Sequence, residues 1–263
     1  MPKLLFFDID GTLFDAHRQL PASVIPALRQ AREKGCLLFL NTGRTLCNLD
    51  ARLDTLPLDG MVLGCGCRII LRGKTLQALE YSPADTARLR NAVLAARIPL
   101  VWECDTAMYF DPEGPSHPAI SGFRSFADHA GIARDIRPDD PEFRAVKMFA
   151  FAASREIRAM LDRFRALSLP FRAIERHPIG WEIVPAGCSK ASGIDRLREE
   201  LDVPLSDCYA FGDSENDLSM LEHVPNSIAM GNAPEAVRRC CTYVAPRPEE
   251  DGIAEALKAL RLV

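Results

Sequence analysis

The 263-residue sequence has no basic excess: 32 Lys and Arg stand against 36 Asp and Glu, for a formal net charge of −4. That balance argues against a nucleic-acid partner, whose binder usually carries clustered positive charge. No apolar run approaches the roughly 18 residues of a membrane span. Leu4-Leu5-Phe6-Phe7 is cut short by Asp8, so the N-terminus is not expected to be a signal peptide. The nine cysteines hold no CxxC pair, only Cys65-Gly66-Cys67 and Cys240-Cys241, and the five histidines (His17, His117, His129, His177, His223) form no HExxH. A zinc site is therefore not expected. An odd, scattered cysteine count does not read as a disulfide framework and fits a reducing cytoplasm, the thiols expected as small buried hydrophobes. There is no internal repeat and no low-complexity tract. What is present, 48% hydrophobic and 26% charged residues, is an ordinary globular composition of one or two domains.

The pattern along the chain changes twice. Lys3 to Ile9 is a continuous apolar run closed by a Gly turn, which reads as a buried parallel strand. A helix over 22–34 follows, with Pro26 tolerated in its first turn and Gly35 as its stop. Cys36–Leu40 is a second buried strand, Leu46–Leu53 a short helix, Met61–Leu63 a strand, and 68–71 with 75–81 a hairpin about Gly73. Strand and helix alternate here, as in a parallel sheet covered on both faces. The middle reads differently: helix 84–96, short strands at 100–104 and 107–110, helix 119–130, a Pro-rich loop over 134–142, strand 145–152, helix 154–167, and strands near 171–175 and 181–184. Adjacent strands of this kind suggest a separate α+β unit with an antiparallel sheet. From Ser189 the alternation returns through helix 190–201, strand 208–211, helix 215–223, strand 227–230, helix 234–239, strand 242–244 and helix 252–261. The fold class is α/β: a doubly wound, Rossmann-like parallel-sheet core over 1–81 and 186–263, with an α+β domain inserted at 82–185.

Asp8-Ile9-Asp10-Gly11-Thr12 follows the first strand, where open α/β sheets bind their ligands. Residues 8 and 10 of an extended chain share a side. One carboxylate could attack phosphorus as a nucleophile and the other move protons, while both attract Mg²⁺. A helix cap with a turn glycine is the blander account of the same residues. Asn41-Thr42-Gly43-Arg44 ends the second strand. Its Thr hydroxyl and the Gly43 N–H, taken at a helix start, suit a phosphate oxygen, and they equally suit a plain cap. Ser189-Lys190 opens a helix, a poor place for a cation unless an anion is near. Gly212-Asp213-Ser214-Glu215-Asn216-Asp217 offers oxygen ligands for a hard cation, or a helix N-terminus made acidic for the dipole.

In this order the motifs resemble those of the haloacid dehalogenase superfamily of phosphohydrolases, and the match spans the core. Asn216-Asp217-Leu218-x-Met220-Leu221, Ala229-Met230-Gly231-Asn232-Ala233 and Asp251-Gly252 are similar to its Cof-type subgroup, whose members carry an α/β cap as their insert (subclass IIB). The resemblance implies an aspartyl-phosphate mechanism. Asp8 would be nucleophile and Mg²⁺ ligand. Asp10 would be general acid and base, its backbone carbonyl on the metal. Thr42 and the Gly43 amide would bind phosphate, and Lys190 would pair with phosphate and with Asp8. Asp213 would ligate Mg²⁺, Asp217 would support the metal through water or a hydrogen bond, and Asn216 would position phosphate or metal-bound water. The insert would close over the site and read the leaving group. Lys147, His177, Trp181 and Glu182 are its candidate readers, Trp181 more as packing than as a stacking platform. Lys147 interrupts the apolar strand Val146–Phe151 either as a cleft-facing group or as a solvated edge gatekeeper. Two departures stand out: Cys65-Gly66 where the subgroup often has Asn-Gly, and Lys190-Ala191 where it often has Lys-Gly.

The expectation is a Mg²⁺-dependent, cytoplasmic phosphatase of small phosphorylated metabolites such as sugar phosphates, a monomer or dimer with no nucleic-acid or membrane partner. The alternatives are a phosphotransferase similar to phosphomannomutase, for which Arg124, Arg134, Arg137 and Arg144 are available, and a binding protein on a retired fold. A retired enzyme should have lost an expensive charged group, and here all are present.

Overall fold

A computed structural model describes residues 1–137, 140–176 and 180–263. The first segment runs β1 (Leu4–Phe7), α1 (Val24–Glu33), β2 (Leu37–Asn41), β3 (Gly60–Leu63), β4 (Arg68–Leu71) and β5 (Lys74–Ala78). Then come α2 (Pro83–Ala96), β6 (Leu100–Glu103), β7 (Met108–Phe110), α3 (Pro118–His129), β8 (Ala133–Asp135), β9 (Lys147–Ala150), α4 (Ser154–Ala166), β10 (Phe171–Arg176) and β11 (Gly180–Pro185). The last segment holds α5 (Lys190–Glu200), β12 (Cys208–Gly212), α6 (Leu218–Leu221), β13 (Asn226–Ala229), α7 (Glu235–Arg239), β14 (Tyr243–Val244) and α8 (Gly252–Ala259). The chain divides into two compact units, one of residues 1–43, 50–77 and 189–263, the other of 44–49 and 78–188.

The first unit carries an eight-stranded sheet in the order β14-β13-β12-β1-β2-β3-β4-β5. Its strands from β14 to β3 pair in parallel, and β4 turns back antiparallel to β3. All four β1 residues are fully buried, which explains the unbroken apolar run: both faces of the strand are covered. Leu4 and Phe6 share a cluster with Phe39, Val62, Ile194, Leu197, Met220 and Val237, so α5, α6 and α7 cover one face. Leu5 and Phe7 point the other way by alternation and are equally buried.

The second unit has a six-stranded sheet, β10-β11-β9-β6-β7-β8. One face packs Trp102, Tyr109, Met148 and Ile183 against Leu89 and Val93 of α2 and Ile157, Met160 and Phe164 of α4. The other sets Val101, Met108 and Phe149 against Phe123, Phe126 and Ala127 of α3.

Four sequence-based expectations need correction. The stretch expected as a helix over Leu46–Leu53 forms two 3₁₀ turns, Leu46–Asn48 and Ala51–Thr55, because Asp50 is extended and takes the Arg52 N–H on its side chain (3.0 Å), starting a new turn. The Pro-rich stretch 134–142 is not all loop: Ala133–Asp135 is a short edge strand parallel to β7, so that sheet is not wholly antiparallel. The helix expected over 215–223 splits into a 3₁₀ turn, Glu215–Asp217, and the short α6. Lys147 is no edge gatekeeper: β9 lies between β11 and β6, and Lys147 is only 2% exposed. Among the described residues, no helix is long and apolar enough to cross a membrane.

Candidate active site

Because β1, β2 and β12 run parallel, their carboxyl ends share one edge of the sheet, and the chain leaves those ends at Asp8, Thr42 and Asp213. Asp8 is buried, and its N–H continues the ladder to the Phe211 carbonyl at 3.0 Å. The chain then turns sharply, with the Phe14 N–H returning to the Ile9 carbonyl at 2.8 Å. Gly11 makes the turn at φ +80°, and a Cβ there would lie 2.2 Å from Asp213 Oδ2. Only glycine meets both demands. Asp10 is exposed.

Lys190 is fully buried. Its Nζ donates to Asp8 Oδ1 at 2.7 Å and to Asp217 Oδ1. Ser189 caps its helix by accepting the Ser192 N–H at 2.9 Å, and Asn41 Nδ2 donates to the Lys190 carbonyl at 3.0 Å. Gly193 lets α5 approach β3, since a Cβ there would be 2.2 Å from Val62 Cγ1. Gly66, at φ +93°, lies so close to Ser189 that a Cβ would be 2.4 Å from its carbonyl oxygen. The Cys65-Gly66 departure thus keeps the glycine that α5 needs.

Asp8, Asp213 and Asp217 each offer a carboxylate oxygen, and these atoms lie within 4.8 Å of one another. Asp217 is fully buried and both its oxygens are engaged: Oδ1 by Lys190, Oδ2 by the N–H groups of Asp213 (2.9 Å) and Ser214 (3.0 Å). Burial, then the Asp217 carboxylate, push the Asp8 carboxyl up from 3.8 to about 7, against the pull of Lys190. Burial opposes the charge on Lys190, but Asp217 and Asp8 outweigh it and hold the ammonium charged well above its ordinary value. Three clustered carboxylates, two of them paired with the Lys190 ammonium, form an oxygen-rich, anionic set that fits a hard divalent cation.

The remaining expected residues fall as follows. Thr42 is buried, with its N–H on the Val62 carbonyl (2.9 Å) and its own carbonyl holding the Cys65 N–H (3.0 Å). Gly43 is buried at a bend three residues before the first 3₁₀ turn, so it is not at a helix start and draws nothing from a helix dipole. Asn216 is buried, and its Oδ1 accepts the Ser214 hydroxyl at 2.6 Å. In the second unit, Lys147 Nζ lies 3.3 Å from both Glu103 and Glu182, and Arg176 lies 3.4 Å from Glu182. Trp181 packs on the core and donates to the Ala152 carbonyl at 2.9 Å. His177 lies outside the described residues. All nine cysteines are free thiols; six are buried, while Cys240 is exposed, contrary to the expectation of packing. Asn41 and Asn232 donate hydrogen bonds to groups of the site although motif position gives neither a role; their place in the quoted motifs, beside strand-end turns, is the sequence signal that could have found them.

A family model described as haloacid dehalogenase-like hydrolase matches residues 5–257. A putative phosphatase of Bacillus subtilis (strain 168), YkrA, is 27% identical over 261 residues, covering 99% of this chain and 98% of that protein. A phosphoglycolate phosphatase of Methanoculleus marisnigri is 28% identical over 258 residues, 98% of this chain and 96% of that one. The solved structure of the subclass IIB sugar phosphatase BT4131 superimposes with a TM-score of 0.82 at 25% identity, covering 99% of this chain and 100% of that one.

Proposed function

The chain belongs to the haloacid dehalogenase-like hydrolases and is a phosphatase, and on that premise we propose that it hydrolyses small phosphorylated metabolites, sugar phosphates or similar, with Mg²⁺ and through an aspartyl-phosphate on Asp8. The observation that carries this reading is the clustering of Asp8, Asp213 and Asp217 at one sheet edge, with the buried Lys190 paired to Asp8 and Asp217.

Asp8 attacks phosphorus through a carboxylate oxygen while Asp10, exposed and so able to reach a leaving group, protonates the departing alkoxide. Asp10 then takes a proton from the water that attacks the aspartyl-phosphate, which releases phosphate and restores Asp8. Thr42, the Gly43 amide, Asn216 and Lys190 hold phosphoryl oxygens. Lys190 also keeps charge complementarity at Asp8 between turnovers. Asp8, the Asp10 carbonyl and Asp213 would hold Mg²⁺. Asp217, whose oxygens are both occupied, would support that site through the turn it braces and through Lys190. Bound Mg²⁺ would neutralise these carboxylates and the charge that develops on the transferring phosphoryl group. The core spans 1–81 and 186–263 in this reading. The insert, 82–185, confers leaving-group selectivity, with Lys147 and Glu182 as its selecting groups. Free thiols throughout support a reducing, cytoplasmic setting.

The test is phosphate release from a panel of sugar phosphates and other small phosphate esters, with and without Mg²⁺. Wild type should turn over only with Mg²⁺, and Asp8→Asn should lose at least about a thousandfold while staying folded. Substantial turnover by Asp8→Asn would sink the nucleophile assignment. Lys147→Met should reorder the panel without abolishing turnover.

A further inference from the structure

Asn232 lies in the loop after β13, outside every group assigned a step above. Its Nδ2 donates to the Gly11 carbonyl at 3.0 Å and to Asp213 Oδ2 at 3.1 Å. One amide nitrogen has two hydrogens, and both are used. Because both neighbours are pure acceptors, the orientation of the amide is forced: Nδ2 must face them. Asn232 Oδ1, turned away, is buried and accepts no hydrogen bond among the described residues. An amide that leaves its own oxygen unsatisfied in order to serve two acceptors is held there by those acceptors.

The loop that carries it is fixed on both sides. The Met230 N–H donates to the Gly212 carbonyl at 3.0 Å, tying the end of β13 to the end of β12. Gly231 lies against residues 245–247, where a Cβ would be 2.9 Å from the Arg247 nitrogen. The sheet order puts β13, β12 and β1 side by side, so a single side chain spans the ends of three neighbouring strands. Asp213 receives a further hydrogen bond from the Thr12 hydroxyl, to Oδ1 at 3.4 Å, and lies against the Gly11 α-carbon, so it is restrained from three directions.

We propose that Asn232 is a positioning residue that fixes the Asp213 carboxylate against the turn after β1 and thereby sets the Mg²⁺ affinity of the site. The proposal rests on the reading of Asp213 as a Mg²⁺ ligand. Without the amide, the Asp213 side chain gains rotamers that point away from Asp8, and each must be given up when a cation binds. The negative charge beside it stays the same, so the loss is one of preorganisation. Groups that orient metal ligands act at this level, and removing one typically costs about 10- to 100-fold in metal affinity.

The experiment is isothermal titration of Mg²⁺ into metal-free wild type, Asn232→Ala and Asn232→Ser, paired with the Mg²⁺ dependence of phosphate release. Calorimetry reads the folded molecules, so a lower melting temperature does not enter the result. Asn232→Ala should bind Mg²⁺ about tenfold more weakly, and its kcat should recover most of the wild-type value once Mg²⁺ is saturating. Asn232→Ser keeps a shorter donor and should fall between the two; if Asn232→Ala does not fold, the serine variant carries the comparison. Wild-type Mg²⁺ affinity in the substituted protein would overturn the inference while leaving the proposed function standing. A wild-type protein that binds no Mg²⁺ would overturn both.

Discussion

Asp8 is held in a buried place that suits its charge poorly. Burial and Asp217 raise its carboxyl to about 7 in the metal-free protein, from an ordinary 3.8. The sign of the consequence follows from linkage: between these values the folded state keeps a proton that the unfolded chain has lost, so the contribution of Asp8 to stability is fully present below about 4 and is lost as pH rises through about 7. Asparagine mimics the protonated form. In EDTA, the stability of Asp8→Asn relative to wild type should therefore grow between pH 4 and pH 7, by on the order of a few kcal/mol. Thermal melts at several pH values check it; a gap that stays constant or narrows contradicts the assigned environment. At this scale the clustering of the charged residues was legible in the sequence, because the order of DxDGT, Lys190 and the Asp213–Asp217 group along the chain resembles a known family, and the structure brings Asp8, Lys190, Asp213 and Asp217 together. The amides were not. Asn41 acts on the Lys190 carbonyl, and Asn232 on the Gly11 carbonyl and Asp213 Oδ2; the partners lie far along the chain, so the motifs that hold these amides do not say what they bind.

The element that matters most for the site is α5, since it delivers Lys190. Its approach to β3 depends on Gly193, where a Cβ would press on Val62 Cγ1. Gly193→Ala should cost about 1–3 kcal/mol by overpacking and lower kcat as Lys190 shifts, measured by denaturant unfolding and phosphate release. In the second unit, β6, β9 and β11 bury Glu103, Lys147 and Glu182 on neighbouring strands. Lys147→Met leaves two buried carboxylates without that ammonium and should cost about 3–5 kcal/mol in the stability of the inserted unit, read by calorimetry. Strong periodicity made the long elements readable: α2, α4 and α5 fall within a residue or so of their expected spans. The two misplaced helices share one cause, a side chain that outbids the helix for backbone N–H groups. Asp217 takes the N–H groups of Asp213 and Ser214 and tightens the chain into a 3₁₀ turn, and Asp50 does the same with Arg52. The edge strand Ala133–Asp135 was hidden because its pairing is set by β7, not by its own charged sequence.

For the whole molecule, composition alone indicated a near-neutral globular chain, and that charge balance conceals an uneven distribution. Asp8, Asp213 and Asp217 lie together, with one lysine paired to Asp8 and Asp217, an arrangement whose excess negative charge would repel a phosphate dianion unless a cation offset it. The α/β class and the two kinds of sheet could be read from the change in alternation along the chain. The substrate could not, because the proposed phosphate contacts sit in local motifs while leaving-group contacts would depend on side chains with no fixed spacing. The central claim is that phosphate passes through Asp8. It is tested most directly by acid-quenching Mg²⁺-loaded enzyme during turnover of a substrate from the panel, digesting it, and weighing the peptide that carries Asp8. The account predicts a mass gain of one phosphoryl group, located on Asp8 and absent from Asp8→Asn or from protein treated with EDTA. Steady turnover in rapid-quench samples with no phosphoryl group on that peptide, or with one on another residue, would contradict it.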